Sequence, residues 1–219
     1  MTEDASDSQA VTDTWRVHQV HRVATTLLAE AAVRPSVPIG ALAQLRDFLV
    51  ANLRHHHEAE DDELWPRIVA AASAAERGLA ALSEEHKRLD AALDLLASVN
   101  LSGGQVADGA GEAAGAGLGD GAGADGVRAA LRDAAAAVRD TVHDHLAHEE
   151  PLLFPALREH ITPAQWQDFA QRVIATTPPV ARDLMVGFLD EVGKPREVEP
   201  LLESLQATGD LRILRDTGA

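Results

Sequence analysis

Two short segments place an imidazole and a carboxylate four residues apart. They are His56 with Glu60 and His145 with Glu149, and each is followed by the same apolar signature, Leu64-Trp65-Pro66 and Leu153-Phe154-Pro155. Positions i and i+4 of a helix are neighbours on one face. Each segment therefore aims one nitrogen and one oxygen donor in the same direction, the mixture that hard and borderline divalent cations take. Two such pairs facing each other can hold two metal ions.

Helical periodicity accounts for the elements that must carry these donors. A first apolar stripe runs Val17, Val20, His21, Ala24, Leu27, Leu28 and Ala31, closed by Pro35 and Pro38. A second runs Leu42, Leu45, Leu49, Leu53, His56, Glu60 and Leu64, with Pro66 expected to kink or end the helix just past the donor pair. A third runs Leu79, Leu82, His86, Leu89, Leu93 and Leu96, and a fourth Leu131, Val138, Val142, His145, Glu149 and Leu152. With no alternating strand pattern, the class is all-α. Each stripe carries at least one donor, and a polar group on a core face needs a partner because stranding it costs several kcal/mol. Six recurring donors, His21, His56, Glu60, His86, His145 and Glu149, are thus candidate metal ligands. His18 shares a side with Thr14, Arg22 and Thr25 and is expected at the surface, while His55, His57, His143 and His148 flank the inward positions. Asp61, Asp62 and Glu63 form a charge run expected to be a solvated face, with Asp61 set apart because it stands four residues after His57. Glu84 and Glu85, beside His86, are candidates to orient an imidazole from behind.

The remaining chain is organised around this set. Residues 1–10 form an acidic tail expected to be disordered, and residues 11–160 the main domain. The stretch 101–126, which holds ten of the chain's 16 glycines, is expected to be a flexible loop. Residues 161–219 form a helical extension packed outside the main helices, starting at a Thr162-Pro163-Ala164-Gln165 capping box, with a further start at Thr177-Pro178-Pro179. The net charge of −16 argues against nucleic acid and anionic membrane surfaces. The absence of cysteine excludes thiolate metal sites and iron–sulfur clusters. No signal peptide or membrane-spanning run is legible, so a cytoplasmic protein is expected. No phosphate-binding glycine motif occurs, no His-Glu-x-x-His, and no histidine has Glu three residues before it, which removes nucleotide, zinc-protease and ferritin-type di-metal readings.

The pattern His-His-x-x-Glu-Asp at 56–61 with Leu64-Trp65-Pro66, then His-Leu-x-x-Glu-Glu at 145–150 with Leu153-Phe154-Pro155, resembles the hemerythrin family in its HHE cation-binding branch. The resemblance covers about residues 11–160 and implies an antiparallel four-helix bundle. It implies that His21, His56, Glu60, His86, His145 and Glu149 hold two iron ions, with Glu60 and Glu149 bridging them. The expected function is binding or reaction with O2, peroxide or nitric oxide, in sensing, binding or detoxification. A di-iron oxygenase or oxidase acting on a small organic substrate, and an iron-buffering or structural metal bundle, are the alternatives. Two departures stand out. Leu82 occupies the position four before His86 where oxygen carriers have a second histidine, which leaves one nitrogen fewer. Pro151 is expected to distort the fourth helix just beyond Glu149.

Overall fold

The structure, a computed structural model, describes residues 8–101 and 120–192. These residues form helices and short connections, with no strand among them. Helix α1 spans Gln9–Ala32, with the Ser8 hydroxyl as its N-cap. Helix α2 spans Ile39–Ala59 and passes into a π-helical turn at Glu60–Leu64, followed by α3 at Trp65–Ala71. After a 3-10 turn at Ser73–Ala75, α4 covers Glu76–Ser98. Helix α5 runs Asp120–His160, α6 Pro163–Thr176 and α7 Pro179–Val192. The expected loop at 101–126 falls largely outside the described residues, but 120–126 are helical. The expected tail likewise lies outside them, except that α1 begins at Gln9.

Helices α1, α2, α4 and α5 pack in a closed ring: α1 on α2, α2 on α4, α4 on α5 and α5 on α1. Their apolar side chains form two clusters. One holds Leu27 and Leu28 of α1, Leu42 to Leu53 of α2, Leu89 to Leu96 of α4 and Leu131 to Leu146 of α5. The other holds Ala10 and Val11 of α1, Leu64 and Ile68, Leu79 and Leu82 of α4, and Leu153 and Leu157 of α5. Between them lies a buried polar layer containing His18, His21, Asn52, His57, Glu60, His86, His145 and Glu149. The buried residues of α4 are the six read from its periodicity. In α5 the register holds to Glu149, after which Leu153 is buried and Leu152 is exposed.

Both prolines of α5 are accommodated. The helix continues through Pro151 and Pro155, so the expected distortion beyond Glu149 does not interrupt it. The turn after α1 is fastened from α5, where the Arg128 guanidinium donates to the carbonyls of Arg34, at 3.1 Å, and Val37. These carbonyls lie in the turn between α1 and α2, so the bonds tie that turn to α5.

The C-terminal helices are more than a covering. Trp166 and Phe169 of α6 join the second cluster, and Ala181, Leu184 and Phe188 of α7 join the first. Phe188 stacks on Phe48 with ring centres 5.2 Å apart. Helix α6 starts with the capping box expected at Thr162, whose hydroxyl and Gln165 serve each other's backbone amides. No helix among the described residues is long and apolar enough to cross a membrane.

Candidate metal centre

The donor atoms converge in two adjoining groups. His18, His56, Glu60 and Glu149 form one, His57, His86 and His145 the other, and within each group one potential ligand atom per residue lies within 4.8 Å of the rest. The two carboxylates join them. Glu60 places Oε1 3.3 Å from His56 Nε2 and Oε2 3.6 Å from His86 Nε2. Glu149 places Oε2 3.3 Å from His145 Nε2 and 3.7 Å from His18 Nε2.

Behind the imidazoles stands a ring of carboxylates. His86 Nδ1 donates to Asp61 at 2.9 Å, and Asp61 also accepts from the Ser83 hydroxyl at 2.5 Å. His145 Nδ1 donates to Glu85 at 3.1 Å. His18 Nδ1 donates to Glu150 at 3.1 Å, and Arg22 holds the same oxygen at 2.7 Å. A histidine whose Nδ1–H is engaged this way presents a bare lone pair on Nε2, the tautomer that ligates a cation.

Those inward atoms have no partner in the protein. His18 Nε2, His56 Nε2, Glu60 Oε2, His86 Nε2, His145 Nε2 and both oxygens of Glu149 are buried without a hydrogen bond, as is His57 Nδ1. Stranding so many acceptors costs several kcal/mol unless something positive lies between them. The donor set is nitrogen and carboxylate oxygen, so a divalent cation fits it and an organic cation, which needs hydrogen-bond geometry, fits poorly.

The electrostatics of the unliganded groups agree. Burial, reinforced by the neighbouring Glu149 carboxylate, raises Glu60 well above the usual carboxylate range. Burial opposes ionisation of Glu149 too, but the adjacent imidazoles of His18 and His145 outweigh it and hold Glu149 at about 2. The pair therefore behaves as two carboxylates sharing one proton, and a cation would take that proton's place. Burial also lowers His56 and His57 well below the ordinary histidine value, which keeps them neutral and able to ligate.

Five of the six sequence candidates, His56, Glu60, His86, His145 and Glu149, lie in these groups. His21 lies beside them. Its Nε2 is 2.8 Å from Asn52 Oδ1 and its ring centre 4.6 Å from that of His56. The first-helix member is His18, expected at the surface yet completely buried. The polar side Thr14, His18, Thr25 faces inward because it meets a polar layer, so its polarity does not signal solvent. His57, expected to flank the site, is also buried and stacks on His86 at 4.3 Å. It supplies the second group with a nitrogen that position 82, a leucine packed in the second apolar cluster, does not. One signal for it was legible: the series Leu49, Leu53, His57 continues the apolar stripe at i+4. The π turn at Glu60–Leu64 then sends Glu60 into the layer and Asp61 to the rear of His86.

No curated protein and no solved structure matches the chain. A family match covers residues 12–121, from α1 through α4 to the start of α5, and its family is described as the hemerythrin HHE cation binding domain. His145 and Glu149 lie beyond the matched residues and rest on the geometry alone. A buried layer of histidines and glutamates, with unpartnered acceptors facing one another, is what a cation-binding domain requires, and the chain belongs to the hemerythrin HHE cation-binding family.

Proposed function

We propose that the protein is a non-haem di-iron protein of the hemerythrin type that binds or reacts with O2, peroxide or nitric oxide. The carrying observation is the placement of Glu60 and Glu149, each of which reaches a histidine of both groups. That supports two cation positions bridged by two carboxylates. One position would be held by His18 and His56, the other by His57, His86 and His145. Iron supplies the electron-transfer chemistry with diatomic ligands that these side chains lack. The protein's own part is to hold the donors, neutralise charge and limit water. Glu60 and Glu149 offset the positive charge, Asp61, Glu85 and Glu150 fix the imidazoles, and the two apolar clusters close the layer above and below. His56 keeps some exposure, 15% of its side chain, and so forms the accessible edge.

The same arrangement supports an antiparallel four-helix bundle. From N- to C-terminus, α1 and α4 pass from the second apolar cluster to the first, and α2 and α5 pass from the first to the second. Neighbours in the ring therefore run in opposite senses, as in up-down-up-down bundles.

The test is anaerobic loading with ferrous iron, metal analysis after desalting, and visible spectra before and after O2, peroxide and nitric oxide. Two irons per chain and a spectral change with at least one of the three are expected. In the same assay Glu60→Gln and Glu149→Gln should each lose metal and the spectral response. Glu58→Gln and Asp62→Asn, exposed on the outer side of the helix, should match the wild type. Two irons retained in both bridging variants would overturn the reading.

A further inference from the structure

A cavity of about 590 Å³ opens beside the His56 and Glu60 side of the metal layer, between α1 and α2 on one side and α6 and α7 on the other. A diatomic gas needs a small fraction of that space, whereas pockets of roughly 300–1,000 Å³ suit organic molecules. The wall supplied by α6 and α7 is mostly apolar, including Trp166, Phe169, Val173, Ile174, Met185 and Leu189. Ile174 and Leu189 are exposed, at 66% and 37%, so the fold leaves large apolar side chains uncovered on this wall. An uncovered apolar surface of this kind marks a binding site more often than chance. Met185 adds an adaptable side chain suited to irregular ligands.

On the opposite wall, apart from the inward atoms of His56 and Glu60 that face the cation site, a further buried polar group lacks a partner. Thr14 is 5% exposed, lines the cavity, and its Oγ1 has no hydrogen-bond partner. A buried hydroxyl without a partner costs free energy that a ligand can return. The other polar wall residues are largely engaged. Asp13 accepts from Trp166 Nε1 at 3.0 Å and from Gln9 at 2.6 Å, and Asn52 is held by His21. Asp13 and Arg16 put one charge of each sign on the wall, and the inward atoms of His56 and Glu60 belong to the cation site, so the wall has no net preference for an anion. With Asp13 already accepting two hydrogen bonds and Arg16 on the same wall, an organic cation is not favoured either.

We propose that this cavity binds an uncharged, mostly apolar organic molecule carrying one hydrogen-bonding group, seated between the α6–α7 wall and Thr14 and lying against the His56–Glu60 edge of the cation site. Its position relative to a bound metal rests on the proposed di-iron centre, but the cavity and its chemistry stand without metal. The C-terminal helices then have a role that the metal layer alone does not require. They turn a site for small gases into one that also accepts an organic ligand.

The test titrates the full chain, metal-free and iron-loaded, with 2-naphthol, naphthalene-2-carboxylate and 2-naphthylmethylammonium, followed by tryptophan fluorescence and calorimetry. Saturable binding of 2-naphthol is expected in both forms, with the two charged probes at least tenfold weaker. Ala170→Phe, which fills the cavity from α6, should weaken 2-naphthol at least tenfold while iron per chain stays at the wild-type value. Met185→Phe, entering from α7, serves the same purpose if Ala170→Phe fails to fold. Absence of saturable binding, equal binding to the filled variants, or preference for a charged probe would overturn the proposal. Loss of iron binding with 2-naphthol binding intact would overturn the metal reading alone.

Discussion

At the residue scale, the decisive contrast is between two histidines on one helix. His18 directs Nε2 at the Glu149 carboxylate while Glu150, itself held by Arg22, accepts from its Nδ1, whereas His21 spends Nε2 on Asn52. His18→Ala should therefore lower iron content clearly, and His21→Ala should leave more metal bound than His18→Ala does. The opposite ranking in metal analysis would place His21 in the ligand set. Asp61 belongs to the same scale, because it fixes the His86 ring without reaching the cation positions itself. Loss of such an outer partner costs 10–100-fold in metal affinity in known sites. Asp61→Ala should weaken iron binding by about that range, and competition with a chelator of known affinity measures it. Unchanged affinity would make the Asp61–His86 bond dispensable.

At the element scale, the metal layer depends on one irregular turn and several well-formed ends. The π segment Glu60–Leu64 ends just before Pro66, which has no N–H to donate to the preceding turn. A widened turn there is the structural answer to the kink expected from Pro66, and such turns recur at functional sites. The α6 start is a separable feature. Thr162 caps it through its hydroxyl, at a distance from the metal layer, and Thr162→Ala should destabilise the protein by about 1 kcal/mol. Urea unfolding monitored by circular dichroism reads that loss, and iron per chain should not change. A drop in iron content with this variant would mean that α6 helps to shape the metal layer and does not merely cover it.

At the scale of the whole molecule, the buried histidines make the metal-free protein sensitive to acid. Burial, together with the nearby His18, lowers His21 from 6.5 to about 3. Below pH 6.5 the unfolded chain takes up a proton that folded His21 refuses, so stability falls as pH drops from 6.5 toward 3. Each such group removes about 1.4 kcal/mol per pH unit in that window. His56, His57 and His86 shift in the same direction, chiefly through burial, and add to the slope. Glu60 and His145, both shifted upward, act in the opposite sense and offset part of it. The urea midpoint of metal-free protein should thus be markedly lower at pH 5 than at pH 7. Bound cation should reduce the difference, since it favours the folded state by mass action. Equal midpoints at both pH values without metal would show that these histidines are hydrated in the folded protein.

Much of this architecture was written in local patterns. Leu79, Leu82, His86, Leu89, Leu93 and Leu96 lie on one face of any helix they form, and that face is the buried one of α4. The His56–Glu60 and His145–Glu149 pairs are likewise set by spacing of four, because the helix places both members on one side before any tertiary contact exists. The capping box at Thr162 needs only four residues. What local pattern leaves open is the rotation of a helix against several neighbours at once. Helix α1 packs on α2, α5, α6 and α7, so a wide arc of it is buried, and the choice between His18 and His21 follows from the position of Glu149 on another helix. His57 joins the layer by stacking on His86, a partner supplied by α4. The cavity belongs to tertiary structure alone, since its walls come from four helices with no shared sequence signal. Periodicity encodes which face of a helix is inward, while identity of the partner across the gap is decided only when the chains of side chains meet.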